Sequence, residues 1–430
     1  MNKTKHFKSW KFIDLFAGLG GFHEALSSLG MECVFASEIN QQLQNLYECN
    51  HGIRPHGDIR NIKESKIPKH NVLCAGFPCQ PFSLAGRKKG NKCPSSGKLI
   101  DDVIRIAKYH KPDYVFLENV PNILTIDEGK FWSYIKNSFK KIGYTIDYKI
   151  YSPVEFGIPQ KRKRVFVIAS FNQSDIIWPT TDLESGKFPE SLFRYIQNIV
   201  SDTNERKLEN KKIKALKIWQ RIIKNIPILS HHSIVASEFG ATYPVEGMHK
   251  ITLKELRTYK GAWGESLKDC KTWAQAFKLL PHYVDPIKKS PADWLIDSIK
   301  HSRKNFSSNP KLFKSFKKEL SSMPRSWQKM QWQGDRNRRS IKNHVIQFRA
   351  SGIRIIRPEF APSLVAMTTT QTPIIGQTGM YMNAREAASL QGLEKLKALP
   401  DNRTSAFHAL GNAVNAKIVK KVALSVFSPH

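Results

Sequence analysis

Between residues 11 and 170 the chain alternates short apolar runs with segments of helical period, and few architectures accept that rhythm. Lys11–Leu15, Glu32–Ser37, Val72–Ala75, Tyr114–Glu118, Thr145–Tyr151 and Val165–Ser170 read as strands. Gly21–Ser28, Asn40–Glu48, Ile100–Tyr109 and Phe131–Lys140 read as the helices between them. Strand–helix alternation with short connections predicts an α/β fold built on a doubly wound, mixed but mostly parallel sheet. Such sheets bind ligands outside the carboxyl ends of their strands, so residues just past each strand bear most directly on function.

The rhythm stops near residue 175. From there to about 345 the chain carries Lys/Arg runs and few clean strands; between 301 and 350 its only acids are Glu319 and Asp335. We expect a first lobe over 1–175, a basic, irregular domain over 176–350, and a more ordered C-terminal segment over 351–430 that ends in a helix near Ala413–Phe427. The whole chain holds 68 Lys+Arg against 36 Asp+Glu, a net charge of +32 and a pI near 9.9. That excess exceeds what solubility needs and points to a polyanion. No apolar run reaches the roughly 18 residues of a membrane span, and Met1–Trp10 lacks a signal-peptide core, so nucleic acid is expected and a membrane is not. The six cysteines include no C-x-x-C pair and no Cys/His set with zinc spacing, which predicts a reduced cytoplasmic protein without a metal.

Two stretches carry chemistry. In Phe12-Ile13-Asp14-Leu15-Phe16-Ala17-Gly18-Leu19-Gly20-Gly21-Phe22 a strand runs into a glycine-rich turn and a helix. Glycines admit close approach of a ligand to the backbone, and a helix start offers free N–H groups. Glu38 closes the next strand, where a carboxylate can grip ribose hydroxyls. The turn is not G-x-G-x-x-G, and Asp14 would repel a pyrophosphate; an acid there suits a cationic ligand such as the amino group or sulfonium of S-adenosylmethionine. Asp58, in Gly57-Asp58-Ile59, reads either as a partner for an adenine amino group or as a solvated turn residue.

The second stretch is Gly76-Phe77-Pro78-Cys79-Gln80-Pro81-Phe82-Ser83, directly after the run Val72–Ala75. A cysteine placed there stands at a strand end, not inside a core. Glu118-Asn119-Val120-Pro121 ends another apolar strand, and Gln160-Lys161-Arg162-Lys163-Arg164 leads into a third. Nearby positive charge raises the thiolate fraction of a cysteine. A thiolate, a carboxyl group and arginines beside a methyl donor suit attack on an electron-poor ring. Thiolate addition at C6 of cytosine, with N3 protonated by an acid of raised pKa, makes C5 nucleophilic. An arginine on O2 would stabilise the same intermediate, and the base must leave the duplex stack to react.

In order and content these motifs resemble those of the cytosine-5 DNA methyltransferases, and the chain resembles a bacterial member of the restriction–modification type. Beyond the basic region the resemblance continues through Arg357-Pro358…Pro362-Ser363-Leu364-Val365-Ala366 and Gly411-Asn412-Ala413-Val414, so that it covers roughly 1–170 and 350–430. It implies a Rossmann-like S-adenosylmethionine-dependent fold with a target-recognition domain in the middle of the chain and a C-terminal segment returning to the catalytic lobe. It implies that Cys79 attacks C6, that Glu118 holds N3 and the exocyclic amino group, that Arg164 contacts O2, and that Arg162 supports the local backbone. Phe16, Ala17, Gly18, Gly20, Gly21, Glu38, Ile39, Asp58, Ile59, Pro78, Leu99, Asn412 and Ala413, with Asp14, would hold S-adenosylmethionine, and S-adenosylhomocysteine would be the product. Gln80, Ser83, Arg87, Lys88 and Lys89 would meet DNA, joined by Arg336, Arg338 and Arg339 of the basic region. Three positions depart from the family's habit: Ile39 stands where an aromatic is common, the loop Asn91–Lys98 lacks the usual acid and Arg-Gly pair, and Ser363 replaces the commoner Thr. The expected protein is thus a monomeric DNA (cytosine-5-)-methyltransferase acting on double-stranded DNA. It would protect a host against a separately encoded cognate endonuclease. A tRNA cytosine methyltransferase and an inactive DNA-binding regulator are the alternatives.

Overall fold

The structure is a computed structural model in which residues 5–78, 99–171, 175–199, 206–226, 233–281, 283–284, 291–364 and 371–427 are described. Cys79, Gln80, Ser83, Arg87, Lys88, Lys89, the Asn91–Lys98 loop and Val365-Ala366 lie outside the described residues. The chain divides into two compact units. One comprises Met1–Ser201, Glu359–Thr369 and Asn383–His430; the other comprises Asp202–Pro358 and Thr370–Met382.

In the first unit the strands are β1 (Lys11–Leu15), β2 (Glu32–Ser37), β3 (Val72–Ala75), β4 (Tyr114–Asn119), β5 (Thr145–Tyr151), the short β6 (Gln160–Lys161) and β7 (Arg164–Ser170). The helices between them are α1 (Gly21–Ser27), α2 (Gln41–His51), α3 (Leu99–His110) and α4 (Lys130–Lys141). Six strands form one sheet in the order β2-β1-β3-β4-β7-β5. The pairs from β2 to β4 are parallel, whereas β7 runs antiparallel to both β4 and β5. The chain order reverses at β1, because its two neighbours in the sheet are β2 and β3. Strands β3 and β4 are buried along their whole length, as their unbroken apolar runs require. Leu73, Val115 and Val167 pack with Val103, Ile106, Ile135 and Phe139 of α3 and α4 in one core cluster.

The C-terminal segment completes this unit. The helix expected near Ala413–Phe427 is present over Ala416–Val426, capped by Asn415; Ala413 is extended, and a separate helix over Arg403–Asn412 precedes it. The Ala416–Val426 helix packs against α1, and the Phe427 ring lies 4.5 Å from Tyr114. Gly21 has no room for a side chain there, since a Cβ would sit 2.3 Å from the Val414 carbonyl oxygen.

The second unit is more ordered than its texture predicts. Helices Asn210–Asn225, Asp293–Ser308 and Pro310–Ser321 accompany a six-stranded sheet. Within that sheet Val345–Arg349 pairs antiparallel with Gly352–Ile356, which runs parallel to Lys329–Gln333. Strands Gly352–Ile356, Ile374–Ile375 and Met380–Tyr381 belong to this sheet, so part of the segment after residue 350 pairs here. Lysines occupy the solvent sides of the amphipathic helices and mask a real core: Trp219, Ile222, Phe313 and Trp332 are buried together. Glu238 is fully buried, and both its oxygens are taken: Arg303 Nε and Nη2 donate to Oε2 at 3.0 and 2.8 Å, and the Tyr243 and Tyr283 hydroxyls donate to Oε1. Among the described residues no helix is long and apolar enough to cross a membrane.

The buried pair gives a stability prediction. Arg303→Met leaves the Glu238 carboxylate without its cation and should cost about 3 kcal/mol or more, read as a lower urea midpoint. The double variant Arg303→Met/Glu238→Gln should recover part of that loss.

Candidate active site

The glycine turn is built by cross-links among the ends of β1 and β2 and the His56-Gly57 segment that bridges to Ser37. Ala17 N–H donates to the Ser37 carbonyl, Ser37 Oγ donates to the Gly57 carbonyl, and Glu38 N–H donates to the His56 carbonyl. Glu38 is buried, and its two oxygens reach opposite ways: Oε2 accepts from Gly18 N–H at 2.9 Å and Oε1 from Asn40 N–H at 2.8 Å. Gly18 and Gly20 have φ of +55° and +82°, and Phe16 sits at +56°. A non-glycine residue held there costs on the order of 1–3 kcal/mol, a strain the surrounding bonds sustain. Among the described residues a Cβ on Gly18 would meet nothing nearer than the Phe16 carbonyl oxygen at 4.0 Å. Ile39 is 68% exposed beside the turn.

Two cofactor candidates are engaged within the protein. Asp14, expected to face a cation, is 1% exposed and accepts from the Tyr47 hydroxyl at 3.1 Å. Burial raises its pKa well above the ordinary value, so the carboxyl behaves as an interior group, and the geometry gives no support to a cation-facing role. The reason is the strand period: Asp14 points to the same side as Phe12, under α1 and α2. Asp58 is half-buried; Arg60 Nε lies 2.9 Å from each of its oxygens and holds its pKa down. Ile59 is buried, Leu99 opens α3, Pro78 and Asn412 are exposed, and Ala413 is buried.

The second group assembles where β4 ends. Glu118 pairs in register with Phe166 of β7, and Asn119 with Val165. Because β7 runs backward, its first residue Arg164 arrives beside the last residues of β4, and Arg164 Nε lies 3.2 Å from Glu118 Oε1. The ion pair is close but not aligned as a hydrogen bond, so among the described residues Oε1 accepts none. Burial raises the Glu118 pKa, opposed by Arg164 and Arg162. Asn119 Nδ2 donates to the Phe77 carbonyl at 2.8 Å and ties the exit of β3 to the end of β4. Sequence reasoning had given Asn119 no role; its position directly after Glu118 was the available signal.

Arg162 is almost fully buried. Its Nη2 donates to the Gly411 and Ala413 carbonyls at 2.8 and 3.1 Å, and Nη1 to the Leu364 carbonyl at 3.3 Å. Burial, reinforced by Arg164, lowers its pKa to about 9. Arg162 thus fastens the returning C-terminal segment beside β6.

Of the basic-region candidates, Arg336 and Arg338 are exposed. Arg339 departs from expectation: its Nη1 donates to the Ile226 carbonyl at 2.5 Å and Nε to the Arg336 carbonyl at 3.4 Å. A guanidinium occupied by main-chain oxygens holds the turn, which is a structural task. Trp332 is a core residue, and Trp327 packs on Phe348. Among the described residues no group of three His, Cys, Asp or Glu side chains could hold a metal ion.

Residues 10–428 match the C-5 cytosine-specific DNA methylase family. The chain belongs to that family. It is 44% identical over 174 residues to the Type II methyltransferase M.HhaI of Haemophilus parahaemolyticus, an alignment covering 40% of this chain and 53% of that relative. Against M.HaeII of Haemophilus aegyptius it is 34% identical over 308 residues, covering 68% of this chain and 94% of the relative. The alignments to M.HhaI and to M.MspI of Moraxella sp. span only 53% and 41% of those relatives. In fold the chain is similar to an E. coli prophage-encoded protein described as a DNA modification methyltransferase, with a TM-score of 0.52, 17% identity and coverage of 97% and 99%. A methyltransferase of Entamoeba histolytica gives 0.51, 15%, 97% and 98%. In this chain the Glu118–Arg164 pair stands at one rim of the α/β sheet.

The raised pKa of Glu118 has a measurable consequence. The native state binds this proton more tightly than the unfolded chain, so the group's contribution to stability is complete below the unfolded carboxylate pKa. It is lost as pH rises through the raised native value. Glu118→Gln should therefore unfold at a higher temperature than wild type at pH 8. The gap should close as pH falls below the ordinary carboxylate range, as followed by thermal unfolding across pH.

Proposed function

We propose that this protein is an S-adenosylmethionine-dependent DNA (cytosine-5-)-methyltransferase of a bacterial restriction–modification system, working in the cytosol on double-stranded DNA. Family membership supports the reaction class, and the sequence relatives are Type II methyltransferases by name. The observation that carries the reading is the buried Glu118 carboxyl, raised in pKa, 3.2 Å from Arg164, on the strand next to the one that leads to Cys79.

The residues around the glycine turn fit a nucleoside-type methyl donor. The space over Gly18, the Glu38 carboxylate and the exposed Ile39 side chain would receive ribose and adenine, with Asp58 beside them. S-adenosylmethionine held there would supply the methyl group and leave as S-adenosylhomocysteine. On the substrate side, the Cys79 thiolate would add to C6 of a cytosine drawn out of the duplex. Glu118, whose pKa burial raises, would donate to N3, and Arg164 would balance the charge gathering on O2. C5 would take the methyl group; loss of the C5 proton to water, return of the N3 proton to Glu118 and expulsion of the thiolate would then restore the aromatic ring. Asn119 would hold the start of the Cys79 segment against β4 while this happens. The protective role, the cognate endonuclease and the monomeric state follow from the family resemblance and belong to this proposal.

Bisulfite mapping of duplex DNA incubated with the protein and S-adenosylmethionine should show 5-methylcytosine within one recurring sequence. Cys79→Ser should abolish it. Methyl transfer to tRNA with none to duplex DNA would replace this reading by the tRNA one. Binding to DNA should weaken steeply between about 50 and 200 mM salt if the +32 charge is a phosphate footprint.

A further inference from the structure

Behind the glycine turn lies a buried polar column that neither motif includes. His51, the last residue of α2, has a side chain 2% exposed. Its Nε2 lies 3.2 Å from the Leu19 carbonyl oxygen, an acceptor only, so Nε2 carries the proton. Its Nδ1 lies 3.5 Å from Glu24 Oε1. The imidazole stacks on His23 with ring centroids 4.1 Å apart. His23 Nδ1 lies 2.8 Å from the Tyr47 hydroxyl, which donates to Asp14. The ring also occupies the place a side chain at residue 20 would take: a Cβ on Gly20 would stand 2.2 Å from Nε2.

We propose that His51 is a positioning residue for the methyl donor. It latches the Leu19 carbonyl and fills the space beneath Gly20, and so holds the turn in the form that lets Gly18 N–H reach Glu38. This rests on the reading of the turn as the S-adenosylmethionine site. Gly20 and Gly21 then have separate reasons to be glycine: one yields to His51, the other to the Val414 carbonyl. Burial lowers the pKa of both histidines, His23 to about 3, so the stacked rings are neutral at physiological pH and do not repel each other. The other charged groups facing the pair are Glu24, itself raised by burial, and Asp14 through Tyr47.

Calorimetric titration of the full-length protein with S-adenosylhomocysteine tests this without turnover. His51→Ala should weaken binding about tenfold, the value of one lost hydrogen bond with its packing. Affinity for duplex DNA should be unchanged, KM for S-adenosylmethionine should rise, and kcat at saturation should hold. His51→Phe, which keeps the ring and loses the donor, should recover at least part of the affinity. A folded His51→Ala protein that binds the nucleoside like wild type would overturn the proposal. So would equal losses of nucleoside and DNA affinity, which indicate a general structural role. Wild-type protein that fails to bind S-adenosylhomocysteine would instead sink the reading of the turn.

Discussion

The reversed direction of β7 is the constraint on which the candidate active site depends. A strand parallel to β4 would have delivered Arg164 to the opposite rim of the sheet. Running antiparallel, β7 begins where β4 ends, and the Arg164 guanidinium meets the Glu118 carboxyl at 3.2 Å. Burial pushes Glu118 toward its neutral form while the arginine pulls it toward the charged one. The net effect is a raised pKa, the direction that the proposed proton donation to a ring nitrogen would call for.

A second constraint ties distant parts of the chain to that rim. Arg162, two residues before Arg164, spends its guanidinium on carbonyls of Leu364, Gly411 and Ala413. Alternate residues of one short basic stretch therefore do unlike work: Arg162 braces the returning C-terminal segment, and Arg164 faces Glu118. The close approach of Val414 to Gly21 completes the same closure from the other side. The glycine turn is thereby held by Glu38 in front, His51 beneath and the C-terminal segment behind.

Much of this was legible from residue types. All six main strands of the first unit stand within a residue or so of where apolar runs and flanking turns place them. Glu38 stands just past β2, where the strand pattern places it, and bonds the turn through Gly18 N–H, a contact the sequence did not announce. Asp14 misled because a charged residue in a strand draws attention to a ligand, while period-two alternation turned it under α1 and α2, where Tyr47 met it. Arg339 misled for a related reason: charge signals an anion, yet a guanidinium can be consumed by main-chain carbonyls of its own fold. The basic region looked irregular because lysines dilute the apolar period of helices such as Asn210–Asn225, whose buried face is nonetheless continuous.

The sequence by itself determined the strand–helix rhythm, the glycine turn, the cationic balance and the acid at the end of β4, because these follow from local period, backbone permissiveness and composition. Only the tertiary structure decided which groups meet. Strand direction in a sheet is set by long-range pairing, not by local propensity, so the Glu118–Arg164 contact could not be read from spacing. The His51 column is the same case. Nothing in the residues between Gly20 and His51 says that one ring fills the other's missing side chain; the packing of α2 against α1 makes it so.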